Sequence, residues 1–318
     1  MRDLADSLLS WDRFAVASVV SVRGSAPRDV GAALAVNTDG EVVGSVSGGC
    51  VEGAVYELAL EVLVSGVPRL ATFGYSDDDA FAVGLTCGGE LDVLVQRDTP
   101  EIREALRAAR DGRPAVLRRR LPGTECEFVE TWLPQPRLLV FGAIDHASAV
   151  ATIGRFLGYH VTVCDARPIF ATPQRFPDAH EVVVDWPHRY LANTTTDSRT
   201  AVVVLTHDPK FDVPVLIEAL RTPLAFVGAL GSRRTHAERL ERLREAGLTG
   251  AQLAQLRSPI GLDLGGRSPE ETAVSIAAEL VALRHGGSGL PLTDLDTPIH
   301  RTTAVPDGMC RLRPHVSR

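Results

Sequence analysis

Apolar positions follow two different rhythms in the two halves of the chain. In the first half they mostly alternate. Phe14–Val22, Ala32–Val36, Glu41–Val46, Arg69–Tyr75 and Leu91–Val95 are rich in β-branched residues and read as strands. Asn37-Thr38-Asp39-Gly40 joins the second and third as a hairpin. From Val51 the period lengthens, and Val51, Val55, Leu58 and Val62 share one face of a helix that ends near Gly66. Glu101–Arg110 predicts another helix, and Ala115–Arg120 with Cys126–Trp132 a strand pair. Pro134-Gln135-Pro136 reads as a stiff linker. Beyond it, short continuous apolar runs replace alternation: Arg137–Phe141, Val161–Cys164, Val182–Val184, Thr200–Leu205 and Leu224–Val227. Such runs are expected of parallel strands buried on both faces. Helical patterns over Ala147–Leu157, Val213–Arg221 and Arg234–Ala246 separate them, and Ser268-Pro269-Glu270-Glu271 opens a last helix as a capping box. The fold class is therefore α/β: an N-terminal mixed α/β domain over 1–133, a Rossmann-like doubly wound parallel sheet over 137–286, and a loosely packed tail over 287–318.

Composition narrows the function classes. A chain of 318 residues, 45% hydrophobic and 23% charged, fits a globular protein of two domains. A net charge of −7 argues against a general nucleic-acid binder. No apolar run reaches the length of a membrane span, and MRDLADSLLSWDRF has no signal-peptide core. Five widely spaced cysteines without a C-x-x-C argue against a disulfide framework or zinc site, and for a reducing cytosol. A cytoplasmic location is expected.

The candidate chemistry sits in glycine-rich loops. Gly48-Gly49-Cys50 lies between a strand and a helix, where free N–H groups and the helix dipole favour an anion and should give a thiol thiolate character. The alternative is a small apolar residue packed at the junction. Arg23-Gly24-Ser25-Ala26-Pro27-Arg28 is a loop with a hydroxyl and two arginines, suited to an anion or simply solvated. Thr86-Cys87-Gly88-Gly89-Glu90 places a second cysteine beside a glycine pair. In the second half, Asp165, Thr206-His207-Asp208 and Gly228–Arg233 fall at the carboxyl ends of strands, where doubly wound sheets bind ligands. Gly228, Gly231, Ser232 and Arg233 form a turn able to hold an oxyanion, and His207 suits a hydrogen bond at the rim. Gly142, Ala147 and Asp165 match part of a dinucleotide fingerprint, but Ile144 stands where a glycine should admit the pyrophosphate. NAD(P) binding is accordingly doubtful.

Taken together, these motifs resemble the XdhC/CoxI family of molybdenum-hydroxylase maturation factors. The resemblance rests on GSAPR (Gly24–Arg28), GSVSGGCVE (Gly44–Glu52), TCGGELDV (Thr86–Val93), LTHD (Leu205–Asp208), GALGSR (Gly228–Arg233), PIGLDLGG (Pro259–Gly266) and SPEETAVSIAAE (Ser268–Glu279). It implies a factor that binds the molybdenum cofactor (molybdopterin), supports its sulfuration with a cysteine desulfurase and delivers it to an apo molybdenum hydroxylase of xanthine dehydrogenase type. Cys50 would then ligate molybdenum or relay sulfur, with Cys87 sharing the task. Ser25, Arg28, Gly48, Gly49, Asp165, His207 and the Gly228–Arg233 turn would surround the cofactor. Family members commonly read Gly-x-Gly-His where this chain has Gly142-Ala143-Ile144-Asp145-His146. Presenting a cofactor to larger partners would suit a homodimer. An NAD(P)-linked oxidoreductase and a non-catalytic scaffold between desulfurase and apo-hydroxylase are the rival functions. The chain lacks an iron–sulfur cysteine pattern, so the hydroxylase itself is not expected.

Overall fold

The central strand of the N-terminal half, β1 (Phe14–Arg23), is buried from Phe14 to Val20, because both of its faces are covered. The computed structural model describes residues 1–24, 28–74 and 89–296. Ser25, Cys87 and residues 297–318 of the expected tail lie outside the described residues. The described chain divides into two compact units, Met1–Pro134 and Gln135–Asp296.

In the first unit, α1 (Ala5–Ser10) precedes β1, followed by β2 (Ala33–Asn37), β3 (Val42–Gly44), α2 (Glu52–Ser65), β4 (Arg69–Phe73) and β5 (Glu90–Arg97). The strands form one antiparallel sheet in the order β3-β2-β1-β5-β4. Ala15, Ala17 and Val19 point to one face and pack under Val51, Val55, Ala59 and Val62 of the α2 segment. Phe14 and Val16 point to the other, as the two-residue period of a strand requires. That face is covered by α1, α3 (Pro100–Arg110) and the hairpin β6 (Ala115–Arg120)–β7 (Glu127–Trp132). Cys126, at the foot of β7, is disulfide-bonded, against the expectation of reduced thiols. Bridging depends on the approach of two Cα atoms, which sequence spacing does not report.

The second unit is a six-stranded sheet, and every pairing in it is parallel. Its elements are β8 (Arg137–Phe141), α4 (Asp145–Phe156), β9 (His160–Asp165), β10 (Glu181–Val184), α5 (Pro187–Asn193), β11 (Ala201–Val204), α6 (Pro209–Arg221), β12 (Phe226–Ala229), α7 (Arg233–Glu245), α8 (Gly250–Leu253), β13 (Leu256–Arg257) and α9 (Pro269–His285). The order β10-β9-β8-β11-β12-β13 reverses direction between β8 and β11, the switch point at which doubly wound sheets form their crevice. Leu138 and Val140 face α4 and α9, whereas Leu139 and Phe141 face α6 and α7. This two-sided burial is why the strands read as continuous apolar runs.

Gly142 lets the chain turn off β8 across the end of β11. It has φ 112°, and a Cβ there would lie 2.7 Å from Thr206 Cγ2 and 3.0 Å from the Thr206 nitrogen. Gly142→Ala should therefore lower the stability of this unit by about 1–3 kcal/mol, from a left-handed backbone plus a backbone contact with no room to give. Denaturant midpoints compared at equal m-value would check this.

Candidate functional site

Antiparallel alternation brings the roots of three connections to one end of the N-terminal sheet. The β1–β2, β3–α2 and β4–β5 connections all leave from the end defined by Arg23 and Glu90, which are cross-strand partners. The opposite end carries the C-terminus of α2, where Arg97 Nε donates to the Leu63 carbonyl at 2.9 Å. β1 ends at Arg23, the residue before the GSAPR motif, β5 begins at Glu90, the last residue of TCGGE, and Cys50 precedes α2 at that same end. Sequence spacing alone left the separation of these segments open; strand direction puts the described ends of their connections at one end of the sheet.

Ion pairs tie the roots of two of these loops. Arg23 Nε donates to Glu90 Oε2 at 2.7 Å, and its Nη1 to Asp92 Oδ2 at 2.6 Å. Thr72 Oγ1 donates to Asp92 Oδ1 at 2.7 Å. Hydrogen bonding to the buried Asp92 carboxylate, reinforced by Glu90, raises the Arg23 pKa further above its usual range. Arg28, the last residue of the GSAPR motif, is exposed.

Around Cys50 the anion site expected of a helix N-terminus is filled from within. Glu52 Oε1 accepts from the backbone N–H groups of Val46, Ser47 and Gly48 at 3.2, 2.9 and 2.9 Å, and from Ser45 Oγ at 2.7 Å. Its Oε2 accepts from Gly49 N–H at 2.7 Å and from Ser47 Oγ. Such convergence needs positive φ at Gly48 and Gly49, 78° and 123°, which glycine adopts without strain. It also explains why the strand does not run on through Val46: Ser45 N–H still donates to the Ala33 carbonyl of β2 at 2.9 Å, but the N–H groups from Val46 to Gly49 serve Glu52 instead of the ladder. Burial opposes ionisation of Glu52, but hydrogen bonds from Ser47, Ser45 and the loop N–H groups outweigh it and hold the carboxyl at about 2. The folded value lies below the unfolded one, near 4.5. The loop should therefore keep its order above that range and lose it only as pH falls toward about 2, a course that Gly48 and Gly49 amide signals would follow.

Cys50 is a half-buried, reduced thiol whose side chain packs against the sheet–helix core. Cys164 is different: it lies within β9 with 1% exposure, and burial pushes its thiol up to about 12.

In the second unit Asp165 closes β9 at the crevice, but its acceptor positions are taken. Oδ1 accepts from the Arg167 N–H and Nε, both at 2.9 Å; Oδ2 accepts from Ala143 N–H at 2.8 Å and Arg167 Nη2 at 2.7 Å. Burial disfavours the charge, but Arg167 and the Ala143 N–H outweigh it and keep the carboxyl below its usual range. Four donors leave no ready acceptor for a ribose diol. Ile144, just ahead of α4, packs its side chain on the core beside the turn a pyrophosphate would approach. These residues do not fit a bound dinucleotide.

The carboxyl end of β11 lies close to these residues: Gly142 packs against Thr206, and Arg167 and Asp208 interact electrostatically. His207 is exposed beyond β11, and Asp208 caps α6 by accepting from Lys210 N–H at 3.1 Å. Gly228 is buried in β12, Gly231 follows it in the turn, and Ser232 caps α7 by accepting from Thr235 N–H at 3.1 Å. Arg233 is exposed at the first position of that helix. Beneath the turn, Arg239 Nη2 donates to Asp212 Oδ2 at 2.9 Å and to the Leu230 carbonyl at 3.0 Å, and Nη1 donates to Ser258 Oγ at 3.1 Å. A groove of about 710 Å³ runs between α4 and α9, lined by Ile144, Ser148, Phe156, Arg175 and Val274 among others. Sequence reading missed this groove, the role of Glu52 and the Arg239–Asp212 pair. Ser45 and Ser47, two hydroxyls shortly before an acid, were the available sign of the second. Among the described residues no helix is long and apolar enough to cross a membrane.

Known proteins resemble both units. A family model described as the XdhC and CoxI family matches residues 10–74, and one described as the XdhC Rossmann domain matches residues 138–280. The chain is 30% identical over 304 residues to the molybdenum cofactor insertion chaperone PaoD of Escherichia coli (strain K12), covering 89% of this chain and 87% of that protein. It is 28% identical over 326 residues to a probable xanthine dehydrogenase subunit of Bacillus subtilis (strain 168), covering 88% and 96%. The crystal structure of a xanthine dehydrogenase from Bacillus halodurans superposes with a TM-score of 0.76 at 26% identity, over 90% of this chain and 96% of that one.

Proposed function

The chain belongs to the XdhC and CoxI family, and from that premise we propose that it carries the molybdenum cofactor as cargo. It binds the cofactor, supports its sulfuration by a cysteine desulfurase and delivers it to an apo-hydroxylase of xanthine dehydrogenase type in the cytoplasm. The observation that carries this reading is that Cys50 precedes α2 at the same end of the sheet at which the chain leaves β1 at Arg23 and enters β5 at Glu90. A similar relative named for cofactor insertion supports it.

The chemistry suits the cargo. The cofactor is an anionic pterin dithiolene with a phosphate and a molybdenum-oxo group. A sulfur donor is a soft partner for such a metal centre, and Cys50 supplies one in a half-buried setting. The loop N–H groups already serve Glu52, so recognition of the phosphate falls to arginine and hydroxyl groups, with Arg28 and Ser25 in the GSAPR motif as the nearest in kind. Cys87 shares the thiol role in this reading, and Ser232 with Arg233 offer a separate oxyanion contact on the second unit.

Reconstitution tests the delivery function. Apo-hydroxylase, released cofactor, cysteine desulfurase and L-cysteine are combined with and without this chain, and hydroxylase turnover is followed. Activation that rises with the chain, in proportion to the amount added, is expected. Equal activation without it would remove delivery and sulfuration from the account.

A further inference from the structure

We propose that Glu52 is the positioning residue of the Cys50 loop, its carboxylate taking the place of an external anion and fixing Cys50 at the end of the sheet where β1 ends and β5 begins. The functional meaning rests on the reading of Cys50 as a cofactor contact; the hold on the loop does not.

Three observations carry it. First, an acid in a capping box normally stands at the third helical position and reaches back to one N–H. Glu52 stands at the first position of α2, and four consecutive backbone N–H groups with two hydroxyls converge on it. Second, a Cβ at Gly48 or Gly49 would meet nothing within 4 Å. What requires glycine there is backbone conformation, and that conformation is the one that wraps the carboxylate. Third, Cys50 is bracketed. The N–H before it, on Gly49, is held by Glu52 at 2.7 Å, and the N–H after it, on Val51, is held by Ser47 Oγ at 3.0 Å. Ser47 Oγ in turn donates to Glu52. Both flanks of the cysteine thus depend on one side chain.

Glu52→Gln keeps the size but replaces one acceptor oxygen with an N–H₂ group facing donors. Far-UV circular dichroism and the protection of Cys164 against alkylation should match wild type. Gly48 and Gly49 amide exchange should rise roughly tenfold, the loss expected when a charged acceptor becomes neutral and mismatched. Alkylation of Cys50 by iodoacetamide, read on its own peptide by mass spectrometry, should change by a similar factor, and cofactor retention should fall with it. Glu52→Asp, which keeps the charge on a shorter arm, should recover part of both. If Glu52→Gln fails to fold, Ser45→Ala removes a single hydroxyl donor and should shift exchange and alkylation in the same direction by a smaller amount. Wild-type exchange and alkylation in the folded variants would overturn the proposal. An altered loop with full cofactor retention in Glu52→Gln and Cys50→Ser alike would leave Glu52 holding the loop and remove Cys50 from the cofactor site.

Discussion

Cys50→Ser should leave both units folded while cutting retention of the molybdenum cofactor by about tenfold or more, because a hydroxyl is a poor substitute for a soft sulfur ligand. The exchange is nearly isosteric. Cys50 is half-buried and packs at the edge of the α2 core, where the deep positions are Val51 and Val55. Its neighbours' N–H groups are held by Glu52 and Ser47, and neither contact uses the thiol. The stability change should therefore stay at about 1 kcal/mol, the centre of the range for single substitutions. Metal content by mass spectrometry and pterin fluorescence after desalting would read the loss, with circular dichroism as the check on fold. A variant that keeps wild-type cofactor content would withdraw Cys50 from the site.

The second large effect concerns the turn that carries Gly228–Arg233. Arg239→Met should destabilise the second unit by about 3–5 kcal/mol, since it strands a buried carboxylate. Arg239 and Asp212 have side-chain exposures of 3% and 5%. Besides Arg239, Asp212 meets Thr206 Oγ1. Burial already raises the Asp212 carboxyl above its usual range with Arg239 present; without the guanidinium, it should rise further. The sign of the pH dependence follows. A group whose folded pKa exceeds its unfolded value stabilises below the unfolded pKa and loses that contribution as pH rises through the folded one. Arg239→Met should accordingly be most nearly native in mild acid and weaken toward neutrality. Thermal midpoints taken across that range would show the trend, lower than wild type by roughly 10 °C near neutral pH. Arg239→Met combined with Asp212→Asn should recover part of the loss. A pH-independent deficit would mean that Asp212 is not the group left stranded.

Most of the fold was legible because burial writes itself into apolar rhythm. β8 and β11 run hydrophobic from end to end, as strands covered on both faces must, and the parallel sheet follows. The apolar run of β1 reported a buried strand, and its two faces meet different partners. Elements too short to show a period escaped: α5 spans seven residues and β13 two. α6 starts at Pro209 rather than Val213, because Asp208 caps it and proline suits the first helical position. The ordered motifs carried the family resemblance, and the two family models span most of them, although TCGGELDV lies outside both. Side-chain pairing was the illegible part. Sequence shows an acid at the end of β9 at the offset of a ribose ligand, but not that Arg167 and Ala143 fill its oxygens. It shows glycines beside a cysteine, but not that the anion they cradle is Glu52. Such contacts depend on how a chain folds back on itself, which no period records.

The most direct test of the central claim is cofactor binding by the full wild-type chain. The protein is incubated with released molybdenum cofactor, desalted, and assayed together for molybdenum and for pterin. Near-stoichiometric retention of both is the predicted result. A chain that emerges with neither metal nor pterin would contradict the carrier account.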